Sequence, residues 1–227
     1  MDVPGPIIDR FAPITLAEMD RVALLDRTDT KYVLPAAMLP GVLHELLPEY
    51  RLLEVDGVRG TAYRSLYLDT ADLRHYHDHH NRRTFRNKVR YREYLGSGLA
   101  YLEVKRKTGR GGTDKVRKRI TAIPERPDAA QLAFIQKATG RTDELRPVLW
   151  NTFTRYTLVH RVRAERLTID VGLRFAWDDQ ERALGPVVVA ELKERRADRG
   201  SPFAMAMRAR GIRPAGMSKY CVGMLLM

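Results

Sequence analysis

Cysteine is almost missing from this chain: Cys221 is the only one in 227 residues. No disulfide can close within the chain, no cysteine-based zinc pattern exists, and a lone thiol fits a reducing, cytoplasmic setting. Long apolar runs are missing as well. No uncharged stretch has the length to span a bilayer, and Met1-Asp2-Val3-Pro4-Gly5-Pro6 shows no basic region followed by an apolar segment, so neither export nor membrane insertion is expected. Low-complexity tracts and internal repeats are also lacking. With 44% hydrophobic and 30% charged residues, the composition excludes a disordered or fibrous chain. The segment from Gly109 to Lys115 has glycines and a lysine but not the Gly-Lys-Ser/Thr ending of a phosphate loop, and no serine sits in a nucleophile elbow. Acidic residues are in deficit, 28 against 40 Lys and Arg, a formal charge of +12. That excess points to an anionic partner, with phosphate the first choice.

What is present is one concentrated block of positive charge. Between Asn81 and Ile120 there are fourteen Lys or Arg against Glu93, Glu103 and Asp114. The block is not a solvated tail, because Val89, Tyr91, Leu102, Val104, Val116 and Ile120 are interleaved with the charges at period two. Three strands are therefore predicted, at Lys88 to Tyr94, Tyr101 to Lys107 and Lys115 to Ile120. Each has one basic face: Lys88, Arg90 and Arg92; Glu103, Lys105 and Lys107; Lys115, Arg117 and Arg119. Gly96-Ser97-Gly98 and the loop from Thr108 to Gly112 separate them at hairpin lengths. Further strands are predicted at Phe153 to Val159, Arg166 to Asp170 and Val187 to Lys193. A single such face is usually just the solvated side of a sheet. Repeated on adjacent strands, like charges repel unless an anion lies between them, which implies a binding surface or a closed lumen.

Helical signals flank these strands. Thr15 to Glu18 forms a capping box opening a segment to about Leu25, Pro35 precedes a helix from Ala36 to Leu47, and Asp128 caps one ending near Gly140. Ser201-Pro202 starts another that Gly211 ends, and Tyr220 to Met227 reads as a packed C-terminal helix. There is no β-α-β alternation, so the expected class is α+β: an antiparallel sheet or barrel with helices outside, organised as one domain over residues 1–227. The run His75-Tyr-His-Asp-His-His80 puts His75 and His79 on one helical face, yet no acid stands at a fixed distance, and it reads as structural. Cys221 reads as a packed thiol. Glu191, in Ala190-Glu-Leu-Lys193, is different: an acid on an apolar strand is costly unless it meets cations. Facing the basic strands, it would be a carboxylate among arginines, the composition that a metal-triphosphate site needs. Glu103 and Asp170 are weaker candidates, since each has an arginine neighbour to pair with.

Nine segments occur in an order that resembles the VTC domain, the polyphosphate polymerase branch of the triphosphate tunnel metalloenzymes. They are Arg27 to Val33, Tyr67 to Asp69, Lys88 to Arg92, Leu102 to Lys105, Lys115 to Arg117, Thr154-Arg155, Arg166 to Asp170, Ala190 to Lys193 and Ser218 to Tyr220. The resemblance implies an antiparallel β-barrel of eight strands with a basic lumen. It also implies transfer of the γ-phosphate of ATP to a growing polyphosphate chain, with Mn²⁺ or Mg²⁺ as the cofactor. By position in the motifs, Lys31, Arg90, Arg92, Lys105, Lys115, Arg155, Arg166, Lys193 and Lys219 resemble the family's phosphate-binding residues. Among them Arg90, Arg92, Lys105, Arg155 and Arg166 are the expected catalytic set, and Lys31, Lys115, Lys193 and Lys219 the substrate-binding set. Glu191 resembles the metal-holding glutamate.

Two departures from the family pattern stand out. The C-terminal motif keeps one lysine, Lys219, where eukaryotic members carry two. Arg27 and Asp29 stand where triphosphatase relatives have paired glutamates, which favours the polymerase over a hydrolase. Two other functions compete: a metal-dependent tripolyphosphatase or nucleoside triphosphatase on the same site, and a polyphosphate- or nucleic-acid-binding module. The module is disfavoured, because only Tyr91, Tyr94 and Tyr101 offer stacking surface in the basic block and a binder has no need of Glu191.

Overall fold

A computed structural model describes residues 5–21, 28–109 and 112–227. In chain order its elements begin with α1 (Gly5–Ile8), β1 (Ala12–Ile14), α2 (Leu16–Arg21), β2 (Thr28–Pro35), a 3₁₀ turn (Ala36–Met38), α3 (Leu39–Leu46), β3 (Tyr50–Leu53), β4 (Gly60–Asp69) and α4 (Arg74–His80). They continue with β5 (Arg86–Tyr94), β6 (Leu99–Lys107), β7 (Thr113–Ile120), α5 (Ala129–Thr139), β8 (Arg146–His160), β9 (Glu165–Trp177), β10 (Gln180–Ala183), β11 (Val187–Glu194), α6 (Pro202–Ala209) and α7 (Lys219–Leu226). The class is α+β. No helix among the described residues is long and apolar enough to cross a membrane.

The main strand path runs β2-β11-β9-β8-β4-β5-β6-β7, with β3 and β10 attached to β8 and β9, and β1 attached to β3. The registered pairings are antiparallel except β1 with β3. The path has two ends, β2 and β7, so the eight strands are present as an open order and closure into the expected barrel is not among the described pairings.

The chain divides into two compact units: residues 1–61, 153–173 and 184–217 form one, and 62–152, 174–183 and 218–227 the other. In the first unit, period two sends Leu34, Leu167, Ile169, Val188, Ala190 and Leu192 into a core closed by α3 and α6. Leu43, Leu46, Phe203 and Met207 from those helices are at most 1% exposed, and each buried side chain of this size stabilises by about 1.5–3 kcal/mol. In the second unit, Leu66, Leu68, Val89, Tyr91, Leu102 and Val104 face Ile135 of α5 and Leu145. A one-residue slip of a strand in either unit would turn its ions into the core, so these apolar faces lock the register that positions the charges.

The helix signals are mostly realised. Thr15 and Glu18 exchange capping-box bonds (backbone N of Thr15 to Glu18 Oε2 2.9 Å, N of Glu18 to Thr15 Oγ1 3.3 Å); the segment toward Leu25 lies outside the described residues beyond Arg21. Asp128 Oδ1 accepts from Gln131 N at 2.7 Å, and Gly140 ends α5 in the left-handed region at φ 71°. The expected start at Ala36 is corrected: Pro35 closes β2, a 3₁₀ turn follows, and Pro40 in the first turn opens α3.

Candidate functional site

The first unit carries an ionic cluster on the side of its sheet opposite the core. Register places Lys31 across from Glu191 and Asp29 across from Lys193 between β2 and β11, and Thr168 across from Glu191 and Arg166 across from Lys193 between β9 and β11. Glu191 therefore sits between two ammonium groups, Lys31 Nζ at 3.0 Å and Lys193 Nζ at 2.6 Å. Arginines are expected around it from the sequence; its direct partners are lysines instead, Lys31 brought across by the β2–β11 register and Lys193 by alternation along β11. Burial opposes its ionisation, but the Lys193 and Lys31 charges outweigh burial and hold the carboxyl well below the usual range. Lys193, also 3.8 Å from Asp29, is drawn below the ordinary lysine value by burial despite Glu191. Arg155 on β8 is gripped by Asp170 through two bonds, Nε to Oδ1 at 2.6 Å and Nη2 to Oδ2 at 2.8 Å, and its guanidinium lies 5.5 Å from the Phe153 ring. Arg166 donates to the Met19 carbonyl at 3.3 Å.

The second unit carries a cluster of different composition. Lys88, Lys105 and Lys115 stand in one row across β5, β6 and β7, and Arg90, Glu103 and Arg117 in the next. Glu103 accepts from Arg90 Nε and Nη2 on Oε2 at 2.8 and 2.7 Å and from Lys115 Nζ on Oε1 at 2.7 Å, with Arg92 Nε 3.8 Å away. Burial raises its pKa, but the Arg90, Arg92 and Lys115 charges overcome that and hold it far below the usual range. Arg92 lies over the Tyr63 ring at 5.1 Å, and Arg90 Nη1 donates to the Tyr67 hydroxyl at 3.4 Å.

Lys219 is the first residue of α7, whose start is tied down on both sides of it. Ser218 Oγ accepts from Lys88 Nζ at 3.0 Å and from Cys221 N at 3.3 Å. Tyr220 donates its hydroxyl to Asp69 and stacks on Tyr67 at 4.8 Å with the planes 20° apart. The residues predicted from sequence thus fall into two sets. Lys31, Arg155, Arg166, Glu191 and Lys193 belong to the first unit, and Arg90, Arg92, Lys105, Lys115 and Lys219 to the second. Arg27 lies outside the described residues. Sequence reasoning gave no role to Tyr67, although Tyr67 to Asp69 was one of the matched segments, and it undervalued Glu103.

A divalent ion can be tested against the donor set. Among the described residues no three of His, Cys, Asp and Glu come together as a ligand group, so a cage made by the protein alone does not fit. One carboxylate does fit the mode in which Mg²⁺ or Mn²⁺ is shared with substrate phosphates. Glu191 is 17% exposed and neighboured by lysines whose flexible stems can swing away, whereas Glu103 is 3% exposed and held in an arginine fork.

The model of the VTC domain matches residues 26–227 of the chain. A search of curated proteins finds no match. Among solved structures the chain is similar to a Hippeastrum protein, a candidate adenylyl cyclase with a dominant triphosphatase activity, at TM-score 0.54 and 17% identity over 86% of this chain and 94% of that one. It is also similar to candidate adenylate cyclases from Vibrio parahaemolyticus (TM-score 0.50, 12% identity, 86% and 97% covered) and Bacillus halodurans (TM-score 0.50, 10% identity, 86% and 96% covered). At these identities the likeness is one of fold.

Proposed function

The chain belongs to the VTC domain family, and on that premise we propose that it is an ATP-dependent polyphosphate polymerase, acting as a single VTC-like domain that transfers the γ-phosphate of ATP to the end of a growing polyphosphate chain. The closed eight-stranded barrel of the family and the use of Mn²⁺ or Mg²⁺ are part of this reading. The observation that carries it is the Lys31–Glu191–Lys193 arrangement: a carboxylate kept ionised by two ammonium groups, on a polar strand face that also bears Arg155 and Arg166.

The chemistry asks little of a protein base, because the attacking group is already an anionic phosphate oxygen. The chain's work is to position two polyanions and neutralise their charge. Arg155, fixed by Asp170, and Arg90, fixed by Glu103 and Tyr67, are oriented before substrate arrives. Lys31, Lys193, Lys115 and Lys105 supply mobile point charges that follow phosphate oxygens as they move. Glu191 would hold the divalent ion, which when bound shields the nucleotide's phosphates and polarises the group in transfer.

A second reading, a tripolyphosphatase or nucleoside triphosphatase, draws support from the Hippeastrum protein, whose reported activity is of that kind. The two differ in whether phosphate or water attacks. Incubation with ATP and Mn²⁺, with products resolved on a gel stained for polyphosphate and free phosphate assayed in parallel, separates them. Long chains with little free phosphate are expected; free phosphate alone would establish the hydrolase. Tight polyphosphate binding without turnover would leave a binding module.

A further inference from the structure

The second unit holds another concentration of positive charge, on the other side of its sheet. Asn87 and Arg106 are a register pair of β5 and β6. By strand alternation they point away from the face that carries Lys88 and Lys105. There they line a cavity of about 190 Å³ together with Arg74 and His75 of α4, Arg86, and Arg141 just beyond α5. Lys107, the register partner of Arg86 at the ends of β6 and β5, also lines it although strand alternation assigns both to the Lys88 face, and Asp78 is the one acid among the lining residues. At about 30 Å³ per water the space holds roughly six waters, ample for one phosphate group.

Three buried polar atoms here lack any hydrogen-bond partner: both ring nitrogens of His75, and Nε of Arg86. His75 is 2% exposed. Its nearest carboxylate oxygens are out of hydrogen-bond range, Asp69 Oδ1 at 3.9 Å and Asp143 Oδ2 at 3.7 Å. Both acids are already committed. Asp69 accepts from the backbone N–H groups of Thr70, His75 and Tyr76 and from the Tyr220 hydroxyl. Asp143 accepts from Arg74 Nη1 and Arg141 Nε, each at 2.8 Å, which braces these two arginines at the cavity. Each orphaned buried group carries an uncompensated desolvation cost, and the five cations outnumber the two acids near them, Asp78 and Asp143. An anion with several acceptor oxygens resolves both. Four guanidinium forks around one space suit a tetrahedral oxyanion better than a planar carboxylate, which offers only two oxygens.

We propose that this cavity binds a phosphate group, either free inorganic phosphate or the terminal phosphate of a polyphosphate chain, independently of the basic strand faces. His75 would donate through whichever ring nitrogen bears the proton, Arg86 through Nε, and Arg106 and Arg141 would close around the remaining oxygens. The site stands whichever reaction the strand faces perform.

The test uses the full chain and reads the imidazole resonances of His75 by NMR, assigned from the spectrum of His75→Gln, during titration with inorganic phosphate and separately with tripolyphosphate. The resonances are expected to shift and saturate. Arg106→Glu should weaken that binding by about tenfold or more, the value of one charge-assisted bond, while Arg90→Ala leaves it unchanged. A shift with inorganic phosphate identifies the free ion as the ligand; a shift with tripolyphosphate alone identifies the chain end. Should Arg106→Glu fail to give a folded thermal transition, Arg141→Gln takes its place. Resonances unmoved by either anion, or moved equally in the variant, would overturn the proposal.

Discussion

The two units use a carboxylate among cations in opposite ways. In the second unit Glu103 is sealed, 3% exposed, and takes a fork from Arg90, a bond from Lys115 and the nearby charge of Arg92. It behaves as an internal counter-ion that lets three cations from the two neighbouring strands share one sheet face. In the first unit Glu191 is 17% exposed, and its two partners are lysines. Ammonium groups on flexible stems release an oxygen more readily than a rigid fork does. Equal charge patterns along two strands can thus serve different ends: Glu103 organises arginines, and on the proposed reading Glu191 exchanges its lysine partners for a metal ion.

The hardest break of this contrast is Glu103→Gln. Leaving Arg90, Arg92 and Lys115 without their shared anion should cost about 3 kcal/mol of stability, read from denaturant unfolding, and added tripolyphosphate should restore part of it by linkage. An unchanged midpoint would show that Glu103 is no counter-ion. Glu191→Gln should do the reverse, lowering metal-dependent turnover on the order of a hundredfold with the unfolding curve nearly unmoved. Arg90→Ala should raise the KM for ATP by about tenfold, one charge-assisted contact, which steady-state kinetics would show.

The smallest effect belongs to a carboxylate pair on the core side of the first unit. Glu194 and Glu165 are register partners, and Glu165 accepts from the Tyr50 and Ser201 hydroxyls. Burial, then the Glu165 charge, pushes Glu194 up to about 7. A pKa raised in the folded state gives stability that is complete below the ordinary value near 4.5 and is lost as pH rises through about 7. Glu194→Gln should therefore flatten the pH profile of stability across that window and gain about 1 kcal/mol at its alkaline end. A profile identical to that of the unaltered chain would contradict this.

The basic strands were legible because β5, β6 and β7 alternate apolar and charged residues and are separated by glycine-containing turns. Strand β4 was not, since its last five residues, Ser65 to Asp69, are all buried and show no alternation. The extra length of β8 and β9 over the predicted segments is hidden in the same way: Leu149, Val171 and Leu173 continue the core past the polar motifs. Candidate site residues could be named from motif order, but their partners could not. Lys31 meets Glu191 from 160 positions away through the β2–β11 register, and Asp69 meets Tyr220 through the docking of α7. Glu103 looked like half of a salt bridge because a single strand does not show that Arg90 and Lys115 arrive from both of its neighbours.

The proposed function makes Glu191, and not Glu103, the carboxylate that holds the metal ion. Its most direct test is an electron paramagnetic resonance titration of free Mn²⁺ against the unaltered chain, Glu191→Gln and Glu103→Gln, each with tripolyphosphate present and below its unfolding transition. Tripolyphosphate-supported Mn²⁺ binding to the chain is expected to vanish in Glu191→Gln and to persist in Glu103→Gln. Equal binding by the unaltered chain and Glu191→Gln would contradict the account.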